Sequence, residues 1–108
     1  MNTIQNSNQD KTAEHIELLI SAIPVGKKNA VTNYQLRTMF DISDREVRKL
    51  VSLARREVCI INDQNGKGYY MPESRAEAEK WIKQETARAK SIFLGMKGAR
   101  NYLKGTDE

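Results

Sequence analysis

The sequence predicts an α+β protein that is mainly α-helical, with a small helical domain closed by a β-hairpin and a long C-terminal helix. Apolar residues recur at helical spacing in four segments, and an Asn-Gly pair separates two short runs of strand-forming residues. With 108 residues, 39% of them hydrophobic, the chain has room for one small core and an appendage. We expect a disordered segment at 1–10, a folded domain at 11–72 and a helix at 73–108.

Composition excludes several classes of protein. Cys59 is the one cysteine and His15 the one histidine, which excludes a disulfide framework and a zinc finger. No apolar run approaches the ~18 residues of a membrane span, and the polar N-terminus lacks a secretory signal. No catalytic constellation is recognisable. We therefore expect a cytoplasmic protein that is not an enzyme, with no cofactor, metal or membrane partner.

The first two helices are predicted from apolar periodicity and end signals. Residues 1–10 are rich in Asn and Gln and lack this periodicity, so the first helix is predicted from about Thr12 to Ala22. Pro24 and Gly26 end it. Ala30-Val31 is predicted as a short strand, and Thr32 as the N-cap of a second short helix.

The third helix is predicted over residues 43–56 and opens with a capping box. The Ser43 hydroxyl can accept from the Glu46 amide while the Glu46 carboxylate accepts from the Ser43 amide. A short turn joins this helix to the second, which is the helix-turn-helix pattern. Its core-facing residues are predicted to be Val47, Leu50, Val51 and Ala54.

A β-hairpin is predicted after the third helix. Its strands are Val58–Ile61 and Tyr69–Met71, and its loop, residues 62–68, contains the turn pair Asn65-Gly66. Cys59 is expected to be a small buried apolar residue. One of the two tyrosines at 69 and 70 is expected to pack on the core and the other to face outward. The order of elements is that of a winged helix, with the hairpin as the wing.

The last helix is predicted from Glu73-Ser74 toward Leu103, with apolar positions at heptad-like spacing. A helix this long cannot bury its stripe against so small a domain, so it packs either on a second chain or on the first helix, with Trp81 as a flanking contact. Gly95 and Gly98 weaken its last turns. For a homodimer, the expected seam consists of five small or apolar residues of this stripe: Ile82, Ala89, Ile92, Met96 and Leu103.

Positive charge is concentrated in residues 27–72, which carry nine basic and five acidic side chains. Six polar residues of the third helix lie opposite its apolar stripe, and such a face suits the major groove of DNA. We expect double-stranded DNA as the partner. Asn33 and Arg37 would contact the DNA backbone, and Lys67 at the wing tip would contact the DNA as well. The six helix residues are Arg45, Arg48, Lys49, Ser52, Arg55 and Arg56.

Three stretches carry a resemblance to a known family: Asn33–Leu36, Ile42–Arg48 and Gly68–Met71. From Ala30 to Met71 the chain resembles the winged helix-turn-helix superfamily. It is similar to small phage and prophage proteins of Gram-positive bacteria that are often encoded near replication or early regulatory genes. The resemblance implies a DNA-binding protein of transcription regulation or DNA replication. The alternative is a winged-helix adaptor that binds another protein and no DNA.

Overall fold

The computed structural model describes the backbone of residues 3–62 and 68–105, and the side chains of residues 12–62 and 68–105. In this part of the chain the protein is α+β and mainly helical, with one small antiparallel sheet, which confirms the predicted class at that level. The chain divides into two units, Met1–Ser74 and Arg75–Glu108. The predicted turn pair Asn65-Gly66 and Lys67 lie outside the described residues.

The first helix, α1 (Thr3–Ala22), begins earlier than the predicted start near Thr12. It includes residues 3–10, for which the sequence predicted no structure. No proline or glycine lies between Thr3 and Ala22, so nothing in that stretch interrupts the helical backbone. Apolar periodicity marks only the part that reaches the core, where Leu19 is fully buried.

Two short helices follow, and each begins with a capping box. Thr32 caps α2 (Asn33–Phe40), and its partner in the box is Gln35. Asp41 ends α2 in the left-handed conformation, at φ 54°. The next helix, α3 (Asp44–Ala54), starts from the predicted capping box at Ser43 and packs against both α1 and α2. Both predicted caps are therefore confirmed.

The apolar stripe of α3 lies at the centre of the hydrophobic core. All four residues predicted to face inward, Val47, Leu50, Val51 and Ala54, are buried. The other members of the core lie in or next to α1, α2 and the hairpin. They are Leu19 of α1 and Ile23 just after it, Val31 before the cap of α2, Leu36 of α2, Ile60 just before β1, and Tyr69 of β2.

The hairpin consists of β1 (Ile61–Asn62) and β2 (Tyr69–Tyr70), which are antiparallel and pair Ile61 with Tyr70. A third segment joins them, because Val31 and Tyr69 exchange two backbone hydrogen bonds of 3.0 and 2.7 Å. The predicted Ala30-Val31 strand is thus reduced to a single bridge. Residues 58–60 precede β1, so the first hairpin strand is shorter than predicted.

Two side chains of the hairpin region differ from expectation. Tyr69 and Tyr70 are both buried, with 8% and 7% of their surface exposed, whereas one was expected to face outward. Cross-strand partners share a face of a sheet, so Ile61 and Tyr70 cover each other on the side away from Tyr69. Cys59 is only partly buried.

The C-terminal unit contains two helices where the sequence predicted one. They are α4 (Arg75–Gly95) and α5 (Lys97–Gly105), separated at Met96. The break follows Gly95, and a glycine inside a helix costs about 1 kcal/mol relative to alanine. The Arg100 guanidinium donates to the Phe93 carbonyl at 3.2 Å and lies over the Phe93 ring, which ties α5 to the end of α4.

Gly68 is the glycine that the hairpin requires. Its φ is +115°, and a Cβ there would lie 2.5 Å from the Val31 carbonyl oxygen. Gly68→Ala should lower the free energy of unfolding by about 1–3 kcal/mol, which is the usual cost of holding a residue other than glycine in a strained backbone conformation. Gly98→Ala is the control, because its Cβ would meet nothing within 4 Å and alanine favours helix. Urea unfolding followed by circular dichroism measures both, and equal effects would contradict the assigned role of Gly68.

Candidate nucleic-acid interface

The position of α3 is fixed at its start and along its buried side. At the start, the Ser43 amide donates to Glu46 Oε1 at 3.0 Å, and the Glu46 amide donates to the Ser43 hydroxyl at 3.1 Å. Hydrogen bonding of the Glu46 carboxylate by the Ser43 backbone amide, and then by the Ser43 side chain, lowers the pKa of Glu46, and the charges of His15 and Lys49 act in the same direction. The negative carboxylate also lies at the positive end of the helix dipole.

The outward face of α3 is cationic. With about 100° between successive residues, an arc of roughly 100° opposite the buried stripe of α3 contains Arg45, Arg48, Lys49 and Ser52 and no acidic side chain. Asp44 and Glu46 lie on either side of this arc. These four side chains are exposed, as is Arg56 in the turn that follows the helix, and we call this set the α3 outer face: Arg45, Arg48, Lys49, Ser52 and Arg56.

Arg48 is held only weakly on this face. Its Nε lies 3.3 Å from an Asp44 carboxylate oxygen, and both side chains are at least half exposed. Exposed pairs of this kind contribute about 0–1 kcal/mol. Arg48 can therefore exchange its carboxylate partner for another hydrogen-bond acceptor at little cost.

Arg55 differs from the other predicted residues of this helix. Its Nε donates to the Ile60 carbonyl at 2.9 Å, and its side chain is partly buried. This bond ties the end of α3 to the segment that enters the hairpin. Burial raises the pKa of the nearby Cys59 thiol, and the positive charge of Arg55 offsets part of that rise. Arg55 therefore has a structural partner, and we leave it out of the α3 outer face.

At the start of α2, the two predicted residues form a cluster with a third that the sequence analysis missed. Arg37 Nε donates to Asn33 Oδ1 at 3.0 Å, and its guanidinium lies 5.3 Å from the centre of the Tyr34 ring. Tyr34 is 66% exposed. The spacing of three between Tyr34 and Arg37 places them side by side on a helix and could have indicated the pair.

The expected dimer residues are all exposed. In the described residues of α4 and α5 no side chain is buried, and Trp81 is partly buried. The exposed large apolar residues of this unit are Ile82, Ile92, Phe93, Leu94, Met96, Tyr102 and Leu103. Ala89 is exposed as well. Five of these positions belong to the predicted seam, namely Ile82, Ala89, Ile92, Met96 and Leu103.

A metal-binding cluster and a membrane-spanning helix are both absent from the part of the chain that the structure describes. No group of three or more His, Cys, Asp or Glu residues there is arranged to hold a metal ion. Within the same residues, no helix combines the length and the hydropathy needed to cross a bilayer.

Comparison of the chain with protein-family models, with curated proteins and with solved structures gave no match.

The capping box predicts a pH-dependent contribution to stability. Because the pKa of Glu46 is lowered from its ordinary value of 4.5, the carboxylate stabilises the fold above that pH. The contribution is lost as the pH falls from 4.5 through the lower pKa of the folded state. Glu46→Gln should therefore be less stable than the wild type at pH 7, and the difference should shrink across this window. Thermal unfolding from pH 7 to pH 3 measures it, and a difference that stays constant would contradict the assignment.

Proposed function

We propose that this chain is a winged-helix protein that binds double-stranded DNA by placing α3 in the major groove. The observation that supports this most is the α3 outer face, whose members are four cations and a hydroxyl, all exposed, with no acidic residue among them. A solvated helix face of ordinary composition mixes the two signs of charge. An unmixed cationic face is complementary to the phosphates and to the acceptor-rich edges of guanine.

The size and support of α3 suit this role. A helix with its side chains is about 10–12 Å across, which matches a major groove about 12 Å wide. Behind the outer face, Val47, Leu50 and Val51 are packed in the core, so the backbone does not have to be ordered when DNA binds. Less free energy is then lost on association.

Each candidate residue has a role in this proposal. Arg45, Arg48 and Lys49 lie toward the N-terminal end of α3, the end that usually meets base edges, and arginine can donate two bonds to guanine O6 and N7. Ser52 and Arg56 would contact phosphates. The cluster at the start of α2, which contains Asn33, Tyr34 and Arg37, would lie on the backbone. Lys67 would reach the backbone from the hairpin loop.

The biological setting is part of the same proposal. The resemblance of residues 30–71 to winged helix-turn-helix proteins of phages supports a role as a transcription regulator or as a component of a replication module. In either role the protein would recognise a particular DNA site, since the residues near the start of α3 can read bases as well as bind phosphates.

We also propose that the chain forms a homodimer through its C-terminal unit. The supporting observation is that the apolar residues of α4 and α5 are exposed: Ile82 is 61%, Ile92 59% and Leu103 67% exposed. Exposed apolar groups in such numbers mark an interaction site. A nine-residue helix such as α5 is also marginal in water without tertiary packing.

A second candidate function uses the same exposed apolar residues. As an adaptor, the chain would bind another protein through α4 and α5 and would not bind DNA. The two functions differ in how binding responds to salt, because contacts with DNA phosphates weaken steeply as the salt concentration rises. The adaptor has no need for the unmixed cationic face of α3.

Arg48 gives a direct test of base recognition. Arg48→Ala should weaken binding to a duplex selected with the wild-type protein by about 1–3 kcal/mol if this side chain reads a guanine. The control is Arg75→Ala, because Arg75 forms an equivalent exposed ion pair with Glu79 at 3.2 Å. Fluorescence anisotropy measures both affinities. An unchanged affinity for Arg48→Ala, or an equal loss in both variants, would remove Arg48 from the proposed interface.

The dimer is tested by substituting the seam. The wild type should be a dimer in multi-angle light scattering, and Ile92→Ser combined with Met96→Ser should be a monomer that keeps its helical circular dichroism. Leu94→Ser is the control, since Leu94 is 66% exposed but lies outside the heptad-like stripe. A monomeric wild type would contradict the proposed seam.

A further inference from the structure

We infer that α5 forms a second, sequence-independent contact with DNA phosphates. This inference goes beyond the contact made by α3 and rests on the proposal that the chain binds DNA. It begins from the charge distribution in the C-terminal unit. Residues 86–105 contain five basic and no acidic side chains, whereas residues 75–85 contain three of each sign. The unit is therefore neutral over residues 75–85 and positive over residues 86–105, and the two acidic residues Asp107 and Glu108 follow at its end.

The positive charge of α5 lies on one side of the helix. With about 100° between residues, Lys97, Arg100 and Lys104 fall within an arc of roughly 60°. We call these three residues the α5 basic face. Tyr102 lies on the opposite side, and Leu103 lies about 90° from the centre of this arc. A second copy of the chain could pack on Leu103 while Lys97 and Lys104, each roughly 100° or more away, remained accessible to a different partner.

Within residues 75–105, the part of this unit that the structure describes, no carboxylate pairs with the α5 basic face. In α4, Arg75 is paired with Glu79 at 3.2 Å and Arg88 with Glu85 at 3.8 Å. In α5, Arg100 and Lys104 are four residues apart, and like charges at this spacing destabilise a helix by a few tenths of a kcal/mol, roughly 0.2–0.5. The arrangement is unfavourable for the free helix and becomes favourable when a polyanion is bound.

Duplex DNA fits the spacing of the α5 basic face. Lys97 and Lys104 are separated by about 10 Å along the helix axis, while DNA carries one negative charge per ~1.7 Å of its own axis. Each side chain can therefore reach a phosphate. Arg100 is oriented by its contacts with Phe93, and a guanidinium has five donor hydrogens, so donors remain for a phosphate.

A second contact would strengthen binding without adding sequence information. Once α3 is on the duplex, the α5 basic face is held at a high effective concentration near the phosphates, provided that the geometry lets both contact the DNA together. The expected signature is a steeper dependence of affinity on salt, since each phosphate contact contributes about 0.9 to the slope of log K against log salt concentration.

The test compares three double variants of the full-length chain, each of which removes two positive charges. Lys97→Gln with Lys104→Gln changes the α5 basic face and leaves Arg100 on Phe93. Lys80→Gln with Lys83→Gln is the matched control in the neutral half of α4. The third variant, Arg45→Gln with Lys49→Gln, reports on the α3 outer face. Affinity for a random duplex is measured by anisotropy between 50 and 200 mM salt.

The inference predicts that the α5 variant lowers the salt slope by about 1.8, so that the loss of affinity over this range is roughly tenfold smaller than in the wild type. The α4 control should match the wild type. If only the α3 variant changes the slope, the inference fails and the proposed function stands. If only the α5 variant changes it, α3 is not the DNA-binding helix and the proposed function fails.

Three further outcomes would overturn the inference. Equal changes in the α4 and α5 variants would show that overall charge matters and that position does not. Conversion of the α5 variant to a monomer in light scattering would assign these lysines to association between chains. A wild type that does not bind duplex DNA even at 50 mM salt would overturn the proposed function together with the inference.

Discussion

The burial of one face of α3 is the constraint on which the rest of the structure depends. Val47, Leu50, Val51 and Ala54 occupy the centre of a thin core, and α1, α2 and the hairpin each contribute residues that pack there. Since a helix has two opposite faces, fixing the apolar one inward fixes the α3 outer face outward. The same packing that stabilises the domain therefore fixes the backbone from which the cations of the α3 outer face extend into solvent. Stability and the proposed recognition surface share one cause.

Local signals predicted the helical part of the fold well. The N-cap at Thr32, the capping box at Ser43 and the buried residues of α3 follow from the identity and spacing of a few side chains, and the structure confirms them. The early start of α1 could not be predicted from apolar periodicity, because that signal exists only where a helix meets a core. The break at Met96 follows Gly95, and the roughly 1 kcal/mol cost of a helical glycine is similar to other local effects, so the sequence indicated weak last turns without the position of a break.

The differences at the candidate site arise from tertiary contacts. Arg55 lies at helical spacing with the other cations, but the chain returns close to it and offers the Ile60 carbonyl, a partner that no periodicity can indicate. Tyr69 and Tyr70 were expected to alternate, one inward and one outward, yet both are buried. Spacing along one element is thus sufficient to define a face. Which members of that face remain available depends on segments distant in sequence.

The central claim is that the α3 outer face contacts DNA, and it can be mapped residue by residue. Amide chemical shifts of the 15N-labelled chain would be recorded while a duplex is added at low salt. If the α3 outer face binds the duplex, the largest changes fall between Arg45 and Arg56. Changes absent from that segment, with the duplex bound elsewhere on the chain or not bound at all, would contradict the account.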